Sequence, residues 1–87
     1  MNRYSVVLTK SAEKELYALP SVAIKNIILS LQSLEDNPRP IGCKKLKEFK
    51  NLWRIRIDNY RAIYAIEDVI LLVDVREIGH RKDIYKN

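Results

Sequence analysis

The chain has 87 residues, of which 47% are hydrophobic, and its formal net charge is +5. This length predicts one domain, residues 1–87, with a small core. No apolar run approaches the roughly 18 residues that span a bilayer. The strand-like start leaves no room for a signal peptide, and the lone cysteine excludes an internal disulfide. These features predict a cytoplasmic protein without a membrane partner.

The first part of the chain predicts one strand and two helices. Residues 4–8 have the composition of a strand, and Thr9 is a suitable N-cap for the helix that follows. This helix runs to about Leu19, because Pro20 disfavours helical backbone at the residue before it. A second helix extends to about Glu35. Apolar residues recur with helical spacing at Ala12, Leu16 and Leu19, and then at Ile24, Ile27, Ile28, Leu31 and Leu34.

The remainder predicts a loop and a strand meander. Residues 37–40 contain two prolines and break the second helix, and residues 41–51 form a loop without a clear period. Three strands with alternating apolar residues cover 52–57, 60–66 and 69–76. Tight turns at Asp58–Asn59 and Glu67–Asp68 connect them. The sequence thus predicts an α+β fold in which two N-terminal helices pack on one face of a small, mostly antiparallel sheet. The order is β-α-α-β-β-β, followed by a short C-terminal tail.

Positive charge is concentrated in one stretch of the chain. Residues 39–61 contain eight basic and only two acidic side chains. Such a local excess is typical of a surface that binds a polyanion, although an ordinary solvated surface is the alternative interpretation. The lysines of this stretch are candidate contacts to a polyanion such as a nucleic acid, namely Lys44, Lys45, Lys47 and Lys50.

The two strands around Asp58–Asn59 place arginines against each other. In the register of a two-residue turn, Arg56 faces Arg61, and Arg54 lies beside them on the same face. Directly opposed like charges destabilise a sheet by about 0.2–1 kcal/mol. We therefore expect an anion here, and phosphate matches the guanidinium fork bidentately. The predicted register also places Asp74 opposite Arg61, where it could orient that arginine.

The other end of this sheet face is apolar, and two interpretations stay open. Either Leu46 and Phe49 of the loop fold over it, or it is an exposed patch for a partner protein. The candidate partner-binding residues are Ile63, Ala65, Ile70 and Leu72.

The C-terminal segment brings further reactive groups together. His80, Arg81 and Tyr85 lie within six residues, which supplies an imidazole, a guanidinium and a phenol. Tyr85 could stack on an RNA base, which is worth about 1–3 kcal/mol. Cys43 has no histidine near it in sequence, and His80 is the only histidine. Metal binding and thiol catalysis are therefore not expected.

Several short motifs in a fixed order resemble the RelE/ParE superfamily of toxins from type II toxin–antitoxin systems. The resemblance spans essentially the whole chain and is closest to the RelE side. The matching segments are LTKSA at 8–12, NPRP at 37–40, KLK at 45–47, LWRIRIDNYRAIY at 52–64 and IGHRKDIY at 78–85.

The resemblance implies a ribosome-dependent endoribonuclease that cuts mRNA in the ribosomal A site. It also implies a cognate antitoxin that forms a heteromeric complex with the toxin and holds it inactive. The chemistry implied is attack of a ribose 2′-OH on the adjacent phosphate, without a metal or other cofactor. The catalytic positions that it implies are Arg54, Arg56, Arg61, Arg81 and Tyr85.

One departure from the RelE pattern concerns the general base. The best-studied pattern has lysines where Arg54 and Arg56 stand, and arginine is effectively never deprotonated. Related toxins use a histidine in the tail, which makes His80 a second candidate for the base, besides the positions of Arg54 and Arg56. Two other functions remain open. One is inhibition of DNA gyrase by a ParE-type toxin on the same fold, and the other is a catalytically degenerate module that binds antitoxin or nucleic acid.

Overall fold

The structure, a computed structural model, describes residues 3–80 and consists of two helices and a five-stranded sheet. In chain order the elements are β1 (Ser5–Leu8), α1 (Lys10–Tyr17), α2 (Ser21–Ser33), β2 (Lys44–Lys45), β3 (Leu52–Ile57), β4 (Tyr60–Glu67) and β5 (Leu72–His80). The strand order is β1-β5-β4-β3-β2, with β1 parallel to β5 and the other neighbours antiparallel. The predicted α+β fold is confirmed, and β2 is a short addition within the predicted loop.

The helices begin and end at the residues that favour helix termini. The Thr9 hydroxyl accepts a hydrogen bond from the Ala12 amide at 3.1 Å, which caps α1. The helix ends at Tyr17, two residues before the predicted Leu19, and Pro20 is the N-cap of α2. Within residues 3–80, no helix has both the length and the apolar character needed to cross a membrane.

The core lies between the two helices and one face of the sheet, here called the helix face. Buried apolar side chains from both layers form it: Ala12, Leu16, Ile27, Leu31, Leu34, Ile55, Ile57, Ala62, Tyr64, Ile66, Val73, Val75 and Ile78. The period-two alternation of the strands predicted most of this face. The strand predicted at 69–76 begins only at Leu72, so Val69 lies in the β4–β5 loop, where it is 97% exposed.

The β3–β4 hairpin has the predicted register. Ile57 pairs with Tyr60, and Arg56 pairs with Arg61. Asp58 has φ of 57°, a left-handed conformation that aspartate tolerates in two-residue hairpin turns. The hairpin therefore confirms the geometric basis on which the arginines were predicted to oppose each other.

The β4–β5 hairpin differs from the prediction. Glu67 pairs with Leu72, so the loop contains four residues instead of two, and Leu71 closes it with φ of 54°. Glu67–Asp68 lacks the glycine or asparagine that favours a two-residue turn, which explains the longer loop. The strand then continues to His80, four residues beyond the predicted end at 76.

A β-bulge in this hairpin shifts the pairing again. Tyr64 pairs with Val75 and Ile63 pairs with Glu77, so one extra residue of β5 lies between the two pairs. Asp74 consequently lies opposite Ala65, and its predicted place opposite Arg61 is wrong. Gly79 occupies that place instead.

Candidate functional site

Four cationic side chains lie on the sheet face opposite the helices, which we call the arginine face. Cross-strand partners point to the same side of a sheet. Lys44 pairs with Arg54 across β2 and β3, and Arg56 pairs with Arg61 across β3 and β4. The structure therefore brings three of the predicted catalytic arginines and one of the predicted RNA-binding lysines together.

Arg54 is unusual because it is a buried cation and two of its three guanidinium nitrogens lack an acceptor among the described residues. The residue is only 3% exposed, and no described residue accepts a hydrogen bond from its Nε or Nη1. A buried polar group left unpaired costs about 1–3 kcal/mol, and more when it is charged. Arg61 is also buried at 7%, whereas Arg56 is exposed. Arg54 is thus the strongest physical sign of an anion site in the described chain.

A cleft lies between α2, the segment before β2, and β3. Its volume is about 500 Å³. Three cations of the arginine face line one side, and the hydroxyl-bearing residues Ser30 and Ser33 of α2 contribute to the other. The remaining lining residues are Pro40, Ile41, Gly42 and Ile55. The cleft provides fixed positive charge, which suits a phosphate group, and the Ser33 hydroxyl donates to the Ser30 carbonyl at 2.6 Å.

Residues 40–42 form one wall of the cleft. The residue before them, Arg39, belongs to a cluster of four side chains. Arg39 binds Asp68 bidentately, with Nη2–Oδ2 at 2.8 Å and Nη1–Oδ1 at 3.2 Å. Tyr4 donates a hydrogen bond to Asp68 Oδ1 at 2.6 Å, and the Arg39 guanidinium lies 5.0 Å from the Trp53 ring centroid. Hydrogen bonds from Arg39 and then Tyr4 lower the pKa of Asp68 to about 2, while the bond to Asp68 raises the pKa of Tyr4.

A buried tyrosine binds the backbone just before the cleft wall. The Tyr64 hydroxyl donates to the Pro38 carbonyl at 2.8 Å, and the residue is fully buried. Burial raises the pKa of Tyr64, and its neighbour Cys43 adds to the effect. The Cys43 amide in turn donates to the Pro40 carbonyl at 3.0 Å. The segment is therefore held at both of its prolines.

The structure does not bring His80 onto the arginine face. His80 pairs with Tyr60, whose side chain packs against the core, and their ring centroids are 5.9 Å apart in an edge-to-face contact. Both side chains therefore lie on the helix face, at the end of the sheet. The other two predicted groups of this segment, Arg81 and Tyr85, lie outside the described residues.

The predicted lysines divide into two groups. Lys44 lines the cleft, whereas Lys45, Lys47 and Lys50 are exposed around the turn between β2 and β3. Lys45 Nζ donates to the Lys50 carbonyl at 2.9 Å. Only Lys44 is thus placed beside the buried arginine.

The apolar end of the arginine face is largely covered. Ile63 and Ala65 are 5% and 4% exposed, Leu72 is half-buried, and Ile70 in the β4–β5 loop is 66% exposed. The Leu46 amide donates to the Leu52 carbonyl beside this end, and Leu46 is half-buried. Phe49 stays half exposed. The partner-binding role of the predicted residues stays a prediction, and only Ile70 among them is now widely accessible.

A family model described as "ParE toxin of type II toxin-antitoxin system, parDE" matches residues 6–85. The chain belongs to this toxin family. A RelE3 toxin of Methanocaldococcus jannaschii is 33% identical over 85 residues, which cover 92% of this toxin and 93% of the relative. A RelG toxin of Mycobacterium tuberculosis is 27% identical over 84 residues, which cover 95% of this toxin and 97% of the relative.

Solved structures of toxin–antitoxin complexes share the fold of this toxin. The RelBE2 complex of Mycobacterium tuberculosis contains a chain with a TM-score of 0.81 and 26% identity, matched over 91% of this toxin and 99% of that chain. An archaeal RelE–RelB complex from Pyrococcus horikoshii OT3 contains a chain with a TM-score of 0.80 and 25% identity, matched over 90% of this toxin and 94% of that chain. The predicted membership of the RelE/ParE superfamily is confirmed.

Sequence reasoning missed two candidate residues of this toxin. Glu77 lies on the arginine face opposite Ile63, two residues from the partner of Arg61, but the incorrect turn length concealed it. Arg39 was counted as part of the basic stretch, although its guanidinium binds Asp68 and lies over the Trp53 ring. The alternation around the bulge, with Val75 and Ile78 both apolar, was the available signal for Glu77. No sequence pattern indicated the pairing of Arg39 with Asp68.

Proposed function

We propose that this toxin is a ribosome-dependent endoribonuclease of the RelE type, and that a cognate antitoxin holds it inactive in a heteromeric complex. The observation that supports this most is Arg54, a buried guanidinium with two nitrogens that no described residue binds, beside Arg56 and Lys44 at one cleft. Relatives named RelE and the RelBE complexes add to it.

The substrate group that fits this arrangement is a phosphodiester. Guanidinium groups bind phosphate oxygens through paired, charge-assisted hydrogen bonds. A phosphate between Arg56 and Arg61 would attract both guanidinium groups and offset the repulsion expected of like charges that face each other across a sheet. A phosphate in the cleft would place negative charge beside the buried Arg54 guanidinium. Part of the electrostatic cost of burying this charge is then recovered in the complex.

The reaction follows from placing a ribonucleotide phosphate on this face. The ribose 2′-oxygen attacks the adjacent phosphorus and loses its proton to a base, while the bond from phosphorus to the 5′-oxygen breaks. The 5′-oxygen takes up a proton, and the other product is a 2′,3′-cyclic phosphate. Preorganised arginines stabilise the charge that grows on the phosphorane, and removal of one such donor typically costs about 10²–10³ in rate.

The general base must lie on the arginine face to reach the 2′-OH. Glu77 lies on this face, since it pairs with Ile63, which is two residues after Arg61 in β4. His80 pairs with Tyr60 on the other face and would have to reach around the end of the sheet. We therefore place Glu77 before His80 as candidate base. Loss of a general base costs about 10²–10⁴ in rate, so Glu77→Gln and His80→Gln can be compared directly.

The antitoxin that this surface would accept is acidic and partly apolar. Acidic side chains would neutralise Arg54 and Arg56, and apolar ones would contact Ile70 first. Ile63 and Ala65 are buried, so a partner that binds them must first uncover them. The solved RelBE complexes are consistent with such a partner.

The test is cleavage of mRNA on programmed ribosomes, with the cut sites mapped by primer extension. Wild type should cut within the A-site codon, and Arg54→Gln, Arg61→Ala and Arg81→Ala should each reduce the rate by about 10²-fold or more. Arg3→Gln is the matched control. It also removes one positive charge, but Arg3 binds Glu35 at 2.8 Å and does not line the cleft. Absence of cleavage by folded wild type would refute the proposal.

A second candidate function is inhibition of DNA gyrase. It is favoured by one observation, the match of residues 6–85 to the ParE toxin family. The same preparation should therefore be assayed for inhibition of gyrase supercoiling. Inhibition without mRNA cleavage would establish the second function in place of the first.

A further inference from the structure

The cluster of Arg39, Asp68, Tyr4 and Trp53 connects three distant parts of the chain. Tyr4 precedes β1, Arg39 follows α2, and Asp68 begins the β4–β5 loop. An exposed ion pair alone contributes little, typically below about 1 kcal/mol. Here the pair is bidentate, shares a carboxylate with a tyrosine, and lies against an aromatic ring. This geometry fixes the guanidinium in one orientation.

Arg39 is placed where its orientation determines the cleft. The next residues, Pro40 to Gly42, line the cleft directly, and Lys44 then pairs with the buried Arg54. Trp53, on which Arg39 lies, is the neighbour of Arg54 in β3 and pairs with Lys45. The wall is therefore tied to β3 on both sides. Arg39, which precedes the wall, lies on Trp53, and Lys44, which follows it, pairs with Arg54.

We propose that Arg39, held by Asp68 against Trp53, is a positioning residue that sets the cleft wall at residues 40–42 and so places Lys44 beside Arg54. The consequence for RNA rests on the proposed function, since it assumes that the cleft binds a phosphodiester. Arg39 itself contacts no RNA in this proposal. Its guanidinium is already occupied by Asp68 and the Trp53 ring.

The sign of one substitution separates positioning from simple electrostatics. Asp68→Asn removes a negative charge, which by long-range attraction alone would strengthen binding of RNA. If Asp68 acts through Arg39 on the wall, the same change weakens binding, by about three- to tenfold. Glu48→Gln is the matched control, because it removes an exposed carboxylate of the basic stretch and should leave binding equal or stronger. Arg39→Lys keeps the charge but loses the fork and should weaken binding as Asp68→Asn does.

The binding probe is a labelled single-stranded RNA with 2′-O-methyl riboses, which cannot be cleaved. Fluorescence of Trp53, the single tryptophan of the chain, reports the loss of the stacked guanidinium in the same samples. Amide hydrogen exchange adds a readout that needs no RNA. The Cys43 amide, bonded to Pro40, should exchange about tenfold faster in Asp68→Asn, while amides of β4 keep their protection.

The outcomes decide the proposal separately from the function. Weaker RNA binding by Asp68→Asn together with faster exchange at Cys43 supports it. Equal or tighter RNA binding by that variant, or unchanged exchange at Cys43, overturns it. If folded wild type binds no free RNA, the exchange comparison alone decides whether Arg39 positions the wall, and cleavage on programmed ribosomes still decides the proposed function.

Discussion

Replacement of Arg54 by methionine should stabilise the folded toxin while it removes the affinity for phosphate. Arg54 is 3% exposed, and within residues 3–80 nothing accepts a hydrogen bond from its Nε or Nη1. Methionine has a similar length, adapts to irregular spaces and buries no charge. The substitution therefore exchanges a buried cation, with two nitrogens that no described residue accepts from, for an apolar side chain at the same place.

The expected gain follows from the cost of the buried charge. Replacement of buried charged groups by well-packed apolar residues often stabilises proteins by about 1–4 kcal/mol. Relief of the repulsion between Lys44 and Arg54 adds about 0.2–1 kcal/mol. For a domain of this size each kcal/mol raises Tm by roughly 4–8 °C. Arg54→Met should accordingly raise Tm by at least about 4 °C.

The assay is thermal unfolding with and without inorganic phosphate. A ligand present at 100 times its Kd stabilises the folded state by about 2.7 kcal/mol, so phosphate should raise the Tm of wild type. Arg54→Met should start from a higher Tm and respond little to phosphate. Arg56→Met is the control for charge alone. Because Arg56 is exposed, its loss should change stability by no more than about 0.5 kcal/mol.

A destabilised Arg54→Met variant would refute the reasoning. A loss of more than about 1 kcal/mol would mean that the Arg54 guanidinium is satisfied in the folded protein, since breaking a paired buried charge is strongly unfavourable. An unchanged response to phosphate in that variant would show that the anion binds elsewhere. Either result would remove the observation on which the proposed function mainly depends.

Three further predictions concern single contacts. Thr9→Ala should cost about 1 kcal/mol by removing the cap of α1, and Thr9→Ser should restore it, as urea unfolding would show. Tyr64→Phe should cost about 1–2 kcal/mol because the Pro38 carbonyl loses its buried donor, again measured in urea. The pKa of Asp68 is lowered to about 2, so its contribution to stability is complete above its ordinary value near 3.8 and is lost as pH falls towards 2. The difference in Tm between wild type and Asp68→Asn should therefore shrink from pH 5 to pH 2, and a constant difference would contradict the shift.

The β3–β4 hairpin shows what a sequence can determine at short range. Strict alternation over residues 52–57 and a two-residue turn leave one register, because a slip by one residue would bury the arginines on the helix face. Arg56 therefore faces Arg61 as predicted. Local chemistry was sufficient here, since the turn and the strand pattern agree.

The β4–β5 hairpin shows where that reasoning failed. The sequence has no strong turn signal after β4, and loop length then depends on contacts made elsewhere. Asp68 is bound by Arg39 and Tyr4 in the loop, which takes it out of a two-residue turn. The four-residue shift and the bulge moved Asp74 away from Arg61 and brought Glu77 onto the arginine face. Long-range ion pairs of this kind leave no periodic trace in a sequence.

The arginine face also links the stability of the toxin to its ligands. The buried Arg54 nitrogens lack an acceptor within residues 3–80, which raises the free energy of the folded state. A polyanion that binds only the folded state removes this penalty and stabilises it by mass action. RNA phosphates and an acidic antitoxin segment would both neutralise the same guanidinium groups, so the two should compete, and either should raise Tm. Local rules that a sequence violates often mark functional sites, and the buried guanidinium of Arg54, with two nitrogens that no described residue accepts from, is such a violation.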